Sequence, residues 1–99
     1  MRTFMASHDI PSQMPRISYF YGIGIYVYYR DHAPPHFHAI YGEHEAVIDM
    51  NTRAVLAGWL PNRANALVLE WAANRHDELL RSWESATRGE PLVTIEPLD

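Results

Sequence analysis

HFHAIYGEHEAVIDM, residues 36–50, decides the fold of this chain. Two short runs of alternating polar and apolar residues, 36–41 and 44–50, flank Gly42-Glu43, and glycine suits the first place of a two-residue type II′ hairpin loop. With 42 and 43 as the loop, Tyr41 faces His44, and the pairs continue as Ile40 with Glu45, Ala39 with Ala46, His38 with Val47, Phe37 with Ile48 and His36 with Asp49. Alternation then puts Phe37, Ala39, Ala46, Ile48 and Met50 on one face, which reads as the core. The other face receives His36, His38, Ile40, Glu45, Val47 and Asp49. A four-residue loop keeps this sorting, whereas a three- or five-residue loop would separate the histidines from the carboxylates.

Upstream, ISYFYGIGIYVYY is rich in β-branched and aromatic residues and reads as one strand over about 18–29, with Ile23, Ile25 and Val27 on one face. Gly22 and Gly24 on its other face imply a close neighbour there. DHAPP, 31–35, cannot continue a ladder, because Pro34 and Pro35 lack N–H donors, so it forms a rigid connector. Downstream, Asn51-Thr52 supplies a turn and AVLAGWL, 54–60, a returning strand. From about 62 to 88 the period changes to three and four: Ala64, Leu67, Val68, Trp71, Ala72, Leu79, Leu80, Trp83 and Ala86 form the apolar stripe of one long helix, or of two with a kink near Asn74. Pro61-Asn62 marks its start and Gly89 its stop. A short strand at 92–95 closes the chain before Pro97. The class is therefore α+β, a small, mainly antiparallel sheet covered on one face by helix. Residues 1–13 read as a flexible N-terminal extension to a single globular domain over 14–98, and Met14 is an alternative translation start.

Composition bounds the function. Hydrophobic residues make up 47% and charged residues 20%, an ordinary globular balance. The formal net charge is -4, and the eight basic residues are all Arg, scattered at 2, 16, 30, 53, 63, 75, 81 and 88. No run of them forms the basic stripe that a phosphate backbone attracts, so nucleic acid is disfavoured as a partner. Without Lys there is no Schiff-base chemistry, and without Cys there is no thiol nucleophile, disulfide or thiolate metal site. The apolar run Tyr19 to Tyr29 is too short to span a membrane, and residues 1–13 lack a signal-peptide pattern, so the expected location is the cytoplasm.

Four of the six histidines fall between His32 and His44. His36 and His38 on one strand face point the same way about 6–7 Å apart, a spacing at which two imidazoles share one metal ion. Asp49 across the hairpin, or Asp31 and His32 from the connector, would complete a set suited to Zn, Fe(II) or Mn. The segment partly imitates the cupin metal motif, with Glu43 following His38, but Arg30 and Met50 stand where that motif needs glycine. A metal-free alternative divides general-base and general-acid roles between His36 and His38, with Asp31 beside them and Arg30 stabilising an oxyanion or phosphate. In a third reading the imidazoles are a structural clasp, donating to Asp31, Asp49 or backbone carbonyls. Trp71 and Trp83 belong to the core, and Glu70, Asp77, Glu78 and Glu84 to a solvated face. The few-stranded sheet also leaves an edge, which favours self-association or a protein partner.

MPRISYFYGIGIYVYY, DHAPPHFHAIYG, the AVID strand, GWLPNRANALVLEWAANRHDELLRSW and the closing IEPL resemble a family of small bacterial proteins known as domain of unknown function 4160, over residues 14–98. The resemblance implies a compact single-domain protein, often encoded beside a short gene of the domain of unknown function 2442 type. That pairing implies a binding or regulatory component of a two-gene, toxin–antitoxin-like module, the alternative being a small His-dependent hydrolase or nuclease with or without a metal. The family's characteristic polar residues fall on Asp31, His32, His36 and His38.

Overall fold

A computed structural model describes residues 14–99, so the expected extension at 1–13 lies outside the described residues. Five antiparallel strands form one meander in the order β1-β2-β3-β4-β5: Arg16–Phe20, Ile23–Tyr26, His36–Tyr41, His44–Asp49 and Val55–Gly58. Two helices follow, α1 (Asn62–Asn74) and α2 (His76–Thr87).

The central hairpin has the register read from its sequence. His36 pairs with Asp49, Phe37 with Ile48, His38 with Val47, Ala39 with Ala46, Ile40 with Glu45 and Tyr41 with His44. Phe37, Ala39, Ala46, Ile48 and Met50 are wholly buried, as the alternation requires. Each such side chain contributes roughly 1.5–3 kcal/mol for the larger residues through loss of water contact, so a register slip of one would forfeit most of the core.

Upstream, one strand over 18–29 is replaced by two. Tyr21 and Gly22 both adopt positive φ, 50° and 79°, and turn the chain back so that Phe20 pairs with Ile23 and Tyr19 with Gly24. Glycine takes this conformation without penalty, while the tyrosine does so at some cost. Gly24 does have the close neighbour expected of it, because a Cβ there would lie 2.7 Å from the ring of Tyr26. The expected strand at 92–95 is also absent. That segment runs along β1 with one backbone bond, Ile95 N–H to Ile17 O at 2.7 Å, and Ser18 Oγ donates to Ile95 O at 2.9 Å. One paired backbone group does not make a ladder.

The long stripe is divided at Arg75, whose φ of -123° and ψ of 23° end α1 and whose carbonyl receives the Leu79 N–H to open α2. Ala64, Val68, Trp71 and Ala72 from α1 join Leu79, Trp83 and Ala86 from α2 in a single core with Ile17, Phe20, Ile23, Ile25, Val27, Phe37 and Ile48. Trp71 is its largest wholly buried member, tilted against Phe20 at 5.2 Å and edge-on to Phe37 at 5.9 Å between ring centres. Its indole Nε1 donates to Glu96 O at 2.8 Å, which fastens the segment after α2 to α1. Gly89, at φ 70°, stops α2 by donating to Ala86 O. Among the described residues no helix is long and apolar enough to cross a membrane.

Candidate metal centre

β3 and the connector that precedes it build the cluster. His36 and His38 alternate with wholly buried Phe37, so both imidazoles leave β3 on the face opposite Phe37, with ring centres 5.3 Å apart. The connector brings Asp31 over them. Its path is set by Arg30, which has φ 53° and donates its N–H to Ala86 O of α2, and by the Pro35 carbonyl, which accepts the Met50 N–H. Both rings are braced: Tyr28 stacks on His38 at 4.2 Å, and Trp83 of α2 lies 5.0 Å from His36.

The hydrogen positions follow from the partners. The Pro34 carbonyl can only accept, so His36 carries a hydrogen on Nδ1 and donates it at 2.7 Å. Likewise His38 Nδ1 faces the Glu45 carboxylate at 2.9 Å and donates to it. A neutral imidazole with its hydrogen on Nδ1 presents a lone pair at Nε2. The two Nε2 atoms therefore converge on the same oxygen, Asp31 Oδ2, at 2.9 Å from His36 and 3.7 Å from His38.

Asp31 is ionised in this setting. Burial opposes its charge, but the His32 N–H on Oδ1 at 2.8 Å leads the effects that outweigh burial and hold the carboxyl below its ordinary 3.8. A carboxylate oxygen facing two nitrogen lone pairs needs a positive species between them. A proton on His36 Nε2 satisfies that one contact and leaves His38 Nε2 as it is: among the described residues, the buried side-chain polar atom with no partner. A divalent ion would satisfy all three atoms. The ligand atoms of Asp31, His36 and His38 lie within 4.8 Å of one another, and outward Nδ1–H donation to a carbonyl and a carboxylate is the support that metal-bound histidines receive.

The remaining residues singled out by the sequence are placed elsewhere. Asp49 sits opposite His36 in the ladder, but its Oδ1 accepts the N–H groups of Asn51 at 2.7 Å and Thr52 at 2.8 Å, so it shapes the turn into β5. The Thr52 amide leads the causes that hold its carboxyl below 3.8. His32 contributes its backbone N–H to Asp31 and is exposed, outside the group able to share an ion. Arg30 is exposed, with its guanidinium against Gly89 at the end of α2, so it holds the connector and does not pair with Asp31. Glu45 is the residue that the sequence sorted onto this face without selecting. Strand parity was its only signal, because Glu45 and Asp49 are equally diagonal to His38 and Asp49 also sits directly opposite His36.

A family model described as Domain of unknown function (DUF4160) matches residues 22–84, a span that contains Asp31, His36, His38 and Glu45. No curated protein and no solved structure matches the chain.

Proposed function

The chain belongs to that family of unknown function, and from this premise we propose that it is a metal-binding protein whose centre is Asp31, His36 and His38, taking a divalent transition ion of the Zn, Mn or Fe(II) kind. The observation that carries the reading is the buried lone pair of His38 Nε2, without a partner and aimed at the same carboxylate oxygen as His36 Nε2. Two imidazoles and one carboxylate suit these borderline ions better than Mg or Ca, which prefer oxygen throughout. Three protein ligands also leave a place for water or another small ligand, the arrangement that hydrolytic metal sites share. This supports the hydrolase reading more than metal-free acid–base catalysis does, since Arg30 is turned away from the cluster.

A second reading, the role of component in a two-gene module, is supported by β5. This edge strand is exposed along its length, and Val55, Leu56 and Trp59 present apolar surface there. Such an edge accepts a strand from a partner, either a second copy or the product of the neighbouring gene.

The test of the metal centre uses protein purified without a histidine tag, stripped with chelator and titrated with zinc and manganese in a calorimeter. One ion per chain is expected for the wild type, and none for Asp31→Ala or for His36→Ala with His38→Ala. Equal uptake by the wild type and these variants would refute the assignment.

A further inference from the structure

We infer that Glu45 is the positioning residue of this centre: by holding the hydrogen of His38 on Nδ1, it keeps the Nε2 lone pair aimed at Asp31 and His36 and so sets the affinity for a divalent ion. The inference rests on the metal reading above.

The geometry separates two tasks. Tyr28, stacked on His38 at 4.2 Å, fixes the plane of the ring. It cannot choose which nitrogen carries the hydrogen. That choice belongs to the polar partners, and Nδ1 has one, Glu45 Oε2 at 2.9 Å. Glu45 reaches it because Ile40 pairs with Glu45 across the hairpin, which puts Glu45 on the face of His38 and one diagonal step away. A carboxylate accepts only, so it admits only the Nδ1–H form of a neutral ring.

Removing this acceptor changes the balance. A neutral imidazole in water favours the hydrogen on Nε2, and inside the protein that hydrogen would find Asp31 Oδ2, now 3.7 Å away. His38 would then satisfy its buried nitrogen internally, and an ion would have to displace that bond before binding. Metal-bound histidines that lose their outer carboxylate lose about 10–100-fold in affinity. Glu45 also places a second negative charge beside the centre, so with Asp31 it matches the charge of a divalent ion.

The experiment compares wild type, Glu45→Ala, Glu45→Gln and Glu43→Ala, full chain in each case. Nitrogen-15 spectra of chelator-treated protein at about pH 8, above the ordinary histidine range, report which nitrogen of His38 is protonated, and calorimetry with zinc reports affinity. The expected result is an Nδ1–H pattern in the wild type, an Nε2–H pattern in Glu45→Ala and a 10–100-fold loss of zinc affinity. Glu45→Gln keeps an acceptor without the charge and falls between, which serves if the alanine variant does not fold. Glu43, in the exposed loop, serves as the control and leaves both readings at the wild-type value. Zinc affinity in Glu45→Ala within about twofold of the wild type would overturn the inference and leave the metal centre standing. A wild type that takes up neither zinc nor manganese would overturn both.

Discussion

Replacing His38 by Phe is expected to leave the metal-free protein nearly as stable as the wild type and to abolish its stabilisation by metal. Phe keeps a ring of similar size against Tyr28. Two polar terms then oppose each other. Removing the imidazole relieves the buried, unpartnered Nε2, whose desolvation costs about 1–3 kcal/mol. It also removes the bond to Glu45, nominally about 1.5–3 kcal/mol for a charged partner, but Glu45 retains 23% of its side-chain exposure and water can take over. The net change is expected within about 1 kcal/mol. His36→Phe differs because both of its nitrogens have partners and none is orphaned. Its loss in chelator should be about 2–4 kcal/mol. At a zinc concentration 100 times the dissociation constant, the wild type gains about 2.7 kcal/mol, which moves a urea midpoint by roughly 1–3 M at the slopes usual for small domains. Neither variant should move. Urea curves in chelator and in zinc therefore give six midpoints. A His38→Phe loss above about 2 kcal/mol in chelator, together with a wild-type midpoint that zinc leaves unchanged, would show that the pair is a clasp and refute the argument.

Trp71→Ala should cost about 3–5 kcal/mol for the lost ring and more for its bond to Glu96 O, a large share of the stability of a domain this size; an unchanged thermal midpoint would contradict the packing described. Asp49 has its carboxyl held below 3.8 by the turn amides, so its contribution is present above that value and fades as pH falls through the lower folded value. Asp49→Asn should therefore flatten the acid limb of stability below about pH 4, and urea midpoints measured down the acid range that coincide for the two proteins would count against this. Light scattering at high concentration should report more than the monomer mass if β5 pairs with a second copy, and Val55→Lys should restore the monomer; a monomer at all concentrations leaves only a different protein as occupant.

The hairpin was legible to the residue because its loop is two residues long and its core face contains no polar member, so only one register buries Phe37, Ala39, Ala46 and Ile48 together. The β1–β2 turn was not legible for the opposite reason. Asn or Asp before glycine would announce positive φ at two successive positions, whereas Tyr21 does not, and a continuous β-branched and aromatic run hides the reversal. The break at Arg75 falls one residue from the asparagine where the period allowed a kink, because an apolar stripe continues across it. At the site, parity put His36, His38, Glu45 and Asp49 on one face. What parity cannot supply is competition for each carboxylate. Asp49 is taken by two turn amides, Glu45 accepts from His38, and the Arg30 cation that would suit either lies at the end of α2.

The bonds from Ser18 and Ile17 to Ile95 set a timetable for synthesis. Ser18 meets a partner made 77 positions later. At translation rates of about 5–20 residues per second, that partner follows by roughly 4–15 s. During this interval the hairpins can already pair, since their contacts are local, while the outer edge of β1 lacks the one partner that the described residues give it. Pro15 and exposed Arg16 stand at the start of that edge, a proline and a charge of the kind that discourage a neighbouring nascent chain from adding its own strand. Exchanging both for residues of high strand propensity should leave purified protein folded and yet lower the soluble yield from cells, a defect of biogenesis with no counterpart in the finished molecule.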